Sequence, residues 1–185
     1  MRPFFQNLAR VIVRVSLIFA ISTSAFGNEI KTHSEHTESL GPHIHGKAQV
    51  HIVLDDSQLS VELHSPAMNL LGFEHGIGSA EDQTMVEVTR ARLKNPTDLF
   101  FFNDGGCVLK HQSADFSDLL VANSSSHNDI KISYAYLCEK PGRLHSVLIR
   151  LLDIFPHITS LQVQWIIHNR QGAEILNHEN NKINF

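Results

Sequence analysis

The chain has 185 residues, which is enough for one domain of ordinary size. Its 15 basic and 19 acidic side chains give a formal net charge of −4, and the basic residues form no cluster, which argues against nucleic acid or an anionic membrane as a partner. Loss of the N-terminal segment described next would remove three arginines and no acid, so the balance becomes 12 − 19 = −7. An acidic domain of this kind favours cations.

Residues 1–27 have the pattern of a secretory signal peptide. Basic residues precede an uncharged apolar run at 15–21, and Ala25-Phe26-Gly27 is a small-x-small cleavage site. A membrane anchor is the alternative, but the run is far shorter than the ~20 residues that a span requires. We therefore predict cleavage after residue 27 and an exported mature protein without a membrane span.

The mature chain is predicted to have two parts. Residues 28–42 contain almost no apolar side chains, so we expect a flexible arm, which carries His33 and His36. Residues 43–185 are predicted to form a single domain.

The segment from His43 to His75 begins with a predicted β-hairpin. Apolar and polar residues alternate on both sides of a turn at residues 55–58, which is the pattern of two half-buried strands. If Leu54 pairs with Leu59, the register follows. The pairs facing the core are then Ile52 with Val61 and Val50 with Leu63, and those on the other face are His51 with Glu62 and Gln49 with His64.

After the hairpin, residues 67–73 are predicted to be an apolar loop and residues 79–94 a helix. Ser79 can cap the helix, with Asp82 in the reciprocal position of a capping box. Met85, Val88, Arg92 and Leu93 are at spacings compatible with one face of this helix.

The rest of the chain is predicted to be mainly strands. Residues 99–102 and 107–111 should pair as a hairpin, and residues 130–138 should form a strand. Residues 144–155 fit either a bent strand or a short helix. Residues 161–168 should form a strand that pairs with 173–176 through a turn at 170–172. The predicted fold class is therefore α+β, with a mainly antiparallel β-sheet and one clear helix.

Two cysteines, Cys107 and Cys138, are present in a chain predicted to reach an oxidising compartment. We expect one disulfide, which would close a loop of about thirty residues and contribute about 3–4 kcal/mol in the chain-entropy model. The alternative makes the cysteines thiolate metal ligands, but they lie far apart and neither belongs to a CxxC pair.

The histidines point to a metal site. The chain has 13 of them, and His43-x-His45 places two imidazoles on the same side of an extended segment. Glu74-His75 would add a carboxylate and a third imidazole, and His51 and His64 share the polar face of the hairpin. This donor set suits zinc, and also copper or nickel. The alternative is that these are ordinary exposed histidines on a hairpin.

The segment from His43 to His75 also resembles the signature of the ZrgA family of exported zinc-binding proteins. Both cysteines and Phe155-Pro156 fit the family as well. The loop between the cysteines is serine-rich here, where family members often carry a His/Asp/Glu-rich tract, and Gly76-Ile77 replaces the usual small residue and Pro. The matching positions are His43, His45, Gly46, Ala48, Asp55, Leu59, Glu62, Leu63, Ser65, Pro66, Ala67, Asn69, Gly72, Phe73, Glu74 and His75.

The resemblance implies a zinc-binding accessory of zinc uptake in the periplasm of a Gram-negative bacterium, with no reaction of its own. Its partners would be the zinc ion and a zinc ABC transporter or that transporter's solute-binding protein, and no nucleic acid. We expect His43, His45 and His75 to be ligands, with Glu74, His51 or His64 completing the site, and His33 and His36 to form an auxiliary metal-capturing arm. The alternatives are an adaptor domain with incidental histidines and a copper/zinc metalloenzyme.

Overall fold

The computed structural model describes residues 44–120 and 128–185. The predicted signal peptide, the predicted arm with His33 and His36, and His43 therefore lie outside the described residues. The described residues form nine strands and three α-helices. The strands are β1 (Lys47–Asp55), β2 (Gln58–Pro66), β3 (Phe100–Phe102), β4 (Cys107–Asp115), β5 (Asp129–Cys138), β6 (Ser146–Ile149), β7 (Ser160–Ile167), β8 (Arg170–Leu176) and β9 (Lys182–Asn184). The helices are α1 (Ala67–Leu71), α2 (Ala80–Leu93) and α3 (Leu151–Ile154).

Six strands form the main sheet, in the order β4-β5-β2-β1-β7-β8, and β3-β6-β9 form a second, smaller sheet. Strands β1 and β7 run parallel, and all other neighbouring strands run antiparallel. The predicted fold class, α+β with a mainly antiparallel sheet, is confirmed. None of the helices formed by the described residues is long and apolar enough to cross a membrane.

The first hairpin has the predicted register. Leu54 pairs with Leu59 and His51 with Glu62, because the Asp55–Gln58 turn leaves the alternation of both strands in phase. The inward-facing side chains of β1 and β2 join a hydrophobic core that includes Leu93 of α2 and Val147 of β6. The other face of the main sheet carries the alternate, mostly polar residues. On the four central strands these include Gln49, His51, Glu62, His64, Lys131, Gln162 and Gln164.

The helix predicted at residues 79–94 is α2. The predicted capping box is confirmed: the Asp82 backbone N–H donates to the Ser79 side chain, and the Ser79 N–H donates to the Asp82 carboxylate. Of the four residues predicted to share a face, only Leu93 is buried. Val86, Thr89 and Leu93 are the buried residues, and Met85 and Val88 are exposed. Thr89 can be buried because its hydroxyl donates to the carbonyl of Leu70.

Three other local predictions need correction. The segment 67–73 forms the short helix α1 before Gly72 ends it. Strand β3 pairs with β6 and strand β4 with β5, so the two do not form a hairpin with each other. The turn between β7 and β8 is at His168 and Asn169, both at positive φ, and it precedes the predicted position. Two residues in the left-handed region are what a tight hairpin turn requires.

The segment 144–155 contains both predicted elements, since β6 is followed directly by α3. Cys107 lies directly opposite Cys138 across β4 and β5, and the predicted disulfide between them is confirmed. A disulfide sulfur is not a thiolate, so neither cysteine is a metal ligand.

Candidate metal centre

The backbone around Gly46 brings the start of β1 against two distant segments. Gly46 has φ +82°, and a Cβ there would lie 2.7 Å from the Thr159 hydroxyl oxygen, so both conformation and space require glycine. The Gly46 N–H donates to the side-chain oxygen of Asn69 at 2.8 Å, and the Asn69 amide donates to the carbonyl of Lys47 at 2.8 Å. Asn69 thus fixes the residue after His45 to helix α1.

The loop after α1 carries the carboxylate. Gly72, at φ 83°, ends the helix and donates its N–H to the carbonyl of Met68. Two residues later, the carbonyl of Glu74 accepts a hydrogen bond of 2.8 Å from the side-chain amide of Asn128. Asn69 and Asn128 therefore hold the two sides of the site in place.

The result is a close pair formed by His45 and Glu74, 29 residues apart in sequence. His45 Nε2 lies 2.9 Å from Glu74 Oε2, with 49% of the His45 side chain and 20% of the Glu74 side chain exposed. A nitrogen and an oxygen bound to one tetrahedral zinc ion would lie about 3.4 Å apart. The pair would have to open by only about 0.5 Å to bind zinc. The imidazole and carboxylate donors therefore fit zinc in chemistry and in spacing.

The carbonyl of Gly76 and the ring of Phe73 orient the His75 side chain. Its Nδ1 lies 2.9 Å from the carbonyl oxygen of Gly76, which can only accept, so Nδ1 carries the proton. Its ring stacks on Phe73 with the centroids 4.8 Å apart. In this tautomer Nε2 is the nitrogen that can bind a metal, and a carbonyl on the other ring nitrogen is a common arrangement around zinc-bound histidines.

The predicted ligands do not all meet in one place. Among residues 44–120 and 128–185, no three His, Cys, Asp or Glu side chains lie close enough together to hold a metal ion as they stand. The structure brings His45 and Glu74 together, and His43 lies outside the described residues. His51 and His64 lie within strands β1 and β2, on the outer face of the sheet.

His51 and His64 form a second group with Glu62. Their ring centroids lie 6.0 Å apart, and His64 Nε2 lies 3.9 Å from Glu62 Oε2. Burial lowers the pKa of His64, and the positive charge of Lys131 and the neighbouring His51 lower it further. His64 is therefore a neutral imidazole at pH 7, which is the form that binds metals.

The sequence did not single out His157 or Asn128, and Asn69 was included only as a position that matches the family signature. A Cβ on Gly72 would lie 3.8 Å from His157 Nε2, and one on Gly46 would lie 3.7 Å from the His157 carbonyl oxygen. His157 lies beside both glycines of the site. The signal that could have found it is the preceding Phe155-Pro156, which the family resemblance already included.

Comparison with known proteins identifies the family of this chain. No curated protein matches the chain. The model of the family described as "ZrgA family zinc uptake protein" matches residues 42–185, which include His45, Glu74 and the residues that position them. This chain therefore belongs to the ZrgA family of zinc uptake proteins.

Proposed function

We propose that the protein is exported to the periplasm, where it captures or buffers zinc and assists zinc uptake without catalysing a reaction. The observation that supports this most directly is the 2.9 Å contact between His45 Nε2 and Glu74 Oε2. Two segments 29 residues apart are held so that an imidazole and a carboxylate face each other. The family's role in zinc uptake favours zinc over copper or nickel, which the same donors would also accept.

We infer that His43 and His75 complete the zinc site around this pair. The His-x-His spacing places His43 and His45 on the same side of an extended segment, as ligands of one ion often are. The tautomer of His75 leaves Nε2 as the nitrogen that can bind a metal.

The exposure of the site suits a protein that both takes up and releases zinc. About half of the His45 side chain is accessible, so an acceptor could reach the ion without unfolding the domain. The acceptor in this proposal is a zinc ABC transporter or its solute-binding protein. His33 and His36, on the predicted arm, would capture zinc from solution and pass it to the ordered site.

Calorimetric zinc titration of the mature protein tests the proposal. The triple variant His43→Ala/His45→Ala/His75→Ala should lose a sub-micromolar binding event that the unmodified protein shows. Affinity should also fall as the pH drops below about 6–6.5, because imidazole must be neutral to bind the ion. The matched control is a variant that replaces three histidines elsewhere in the chain, at positions 111, 145 and 178.

Two results would contradict the proposal. Weak zinc binding that the triple variant leaves unchanged would mean that these histidines are ordinary surface residues, and would favour an adaptor domain. An affinity that does not change between pH 7.5 and pH 5.5 would exclude imidazole ligands, whatever the stoichiometry.

A further inference from the structure

The geometry points to a second metal site on the outer face of the main sheet, formed by His51, His64 and Glu62. We propose that it binds a divalent transition-metal ion that prefers imidazole nitrogen, such as zinc, independently of the site at His45 and Glu74. The expectation from the sequence was that His51 or His64 completes that first site. Their positions within β1 and β2 make them a separate group.

The rings of His51 and His64 are spaced almost as two imidazoles bound to one zinc ion would be. Two imidazoles on one tetrahedral zinc ion have their centroids about 5 Å apart, given zinc–nitrogen bonds of about 2.05 Å. The centroids of His51 and His64 are 6.0 Å apart, so binding needs a movement of about 1 Å. Glu62 Oε2 lies 3.9 Å from His64 Nε2, about 0.5 Å more than two ligands of one ion would be.

The hydrogen bonding of His64 also supports a ligand at this place. Its Nδ1 is buried without a partner among the described residues, and Nε2 is too far from Glu62 for a hydrogen bond. A buried Nδ1 without a partner is uncommon, because buried polar atoms are normally satisfied by protein, water or an ion. Nε2, the nitrogen 3.9 Å from Glu62 Oε2, is the one that we expect to bind the ion.

The surrounding charges permit a cation. Lys131 lies opposite His64 in the adjacent strand and opposes a positive ion. Glu62 and Asp129 both act on His64 with negative charge, and Asp115 lies opposite Lys131 in the register of β4 and β5. Lys131 has the largest single effect of these charges on His64, and the two carboxylates Glu62 and Asp129 oppose it.

The strands hold the ligands in register before any ion arrives. His51 pairs with Glu62 and Gln49 with His64, so the two histidines are diagonal neighbours on β1 and β2. These strands are in the middle of the six-stranded sheet, where ladder partners on both sides prevent slippage. Three protein ligands would leave a coordination position for water, so we expect an exchangeable ion.

Zinc titration of the mature full chain, followed by calorimetry, tests the second site. The variant His51→Gln/His64→Gln should bind one equivalent less than the unmodified protein. The matched control is His145→Gln/His168→Gln, a histidine pair with centroids 6.4 Å apart in which His168 Nε2 is already bonded to the carbonyl of Leu144. This control should bind the same number of equivalents as the unmodified protein.

A variant at the first site, His45→Ala/Glu74→Ala, separates the two proposals. It should keep the equivalent that His51→Gln/His64→Gln loses. If only the His51/His64 variant loses an equivalent, the second site stands and the proposed function at His45 fails. If that variant loses nothing, the second site is refuted, whatever the first-site variant does.

A measurement on the unmodified chain guards against a variant that fails to fold. Ring nitrogen resonances of His51 and His64 in long-range ¹H–¹⁵N spectra should shift as zinc is added. Resonances that stay unchanged when zinc binding is saturated would refute the proposal without reference to any variant.

Discussion

Replacing Asn69 by alanine should loosen the junction between His45 and the loop that carries Glu74. Asn69 is 1% exposed and makes three side-chain hydrogen bonds. It accepts from the Gly46 N–H, and it donates to the carbonyl of Lys47 and to the hydroxyl of Ser65.

The expected loss of stability follows from these bonds. Each contributes about 0.5–1.5 kcal/mol net, and the N–H of Gly46 and the carbonyl of Lys47 would lose a partner in a partly buried place. We expect the free energy of unfolding to fall by about 2–4 kcal/mol. Removal of a residue that orients a metal ligand typically weakens metal binding by about 10–100-fold, and we expect zinc affinity to fall within that range.

Urea unfolding, followed by the fluorescence of the only tryptophan, measures the stability, and calorimetry measures the zinc affinity. Asn184→Ala, at an exposed position of β9, is the control. Asn69→Asp should fall between Asn69→Ala and the unmodified protein in stability, because it keeps the acceptor for Gly46 but loses both donated bonds. A free energy of unfolding for Asn69→Ala within about 0.5 kcal/mol of the unmodified protein would refute the reasoning.

Three further predictions concern the disulfide, the tryptophan and the pH response. Reduction of Cys107–Cys138, or Cys107→Ala/Cys138→Ala, should lower the free energy of unfolding by about 3–4 kcal/mol, because the disulfide closes a loop with a sequence separation of 31; equal urea midpoints with and without reductant would contradict this. Gly172→Ala should displace the Trp165 indole, which a Cβ would approach to 2.5 Å, at a cost of about 1–3 kcal/mol and with a red shift in emission; an unchanged spectrum would count against this packing. Because the folded-state pKa of His64 is below its unfolded value near 6.5, its contribution to stability is present above that pH and is lost as the pH falls toward the folded-state pKa. His64→Gln should therefore make the free energy of unfolding less dependent on pH below about 6.5, and equal slopes for both proteins would exclude this role.

The first hairpin shows what a local sequence pattern can predict. Alternation on both sides of the turn at Asp55 determined the facing pairs, because a slip of one residue would turn Val50 and Ile52 to the solvent face. The capping box of α2 was predictable for the same reason, since Ser79 and Asp82 lie within one turn of helix.

Features that depend on distant segments were not predictable. No local signal indicates that β1 pairs in parallel with β7, or that β3 pairs with β6. The apolar spacing in α2 did not identify the buried residues Val86 and Thr89, because the buried face depends on what the helix packs against.

The candidate site likewise has a part that the sequence predicted and a part that it did not. The family motif predicted that His45 and Glu74 belong to one site, and the structure places their side chains 2.9 Å apart. The orientation of His75 toward its own neighbour, and the position of His157 beside Gly72, depend on contacts that the motif does not encode.

The contact between Gly46 and the segment at the start of β7 also affects the order in which parts of the domain fold. The backbone N–H groups of Thr159 and Ser160 both donate to the carbonyl of Gly46, and β1 pairs with β7 from Lys47 onward. These contacts join residues more than 110 positions apart, so they form late and slow the folding of the whole domain. An unfinished chain that ends before residue 159 would contain the whole His43–His75 motif but not the backbone that holds His45 in place. Zinc affinity should therefore appear only when the last third of the chain has folded, and it can serve as a measure of how complete the folded domain is.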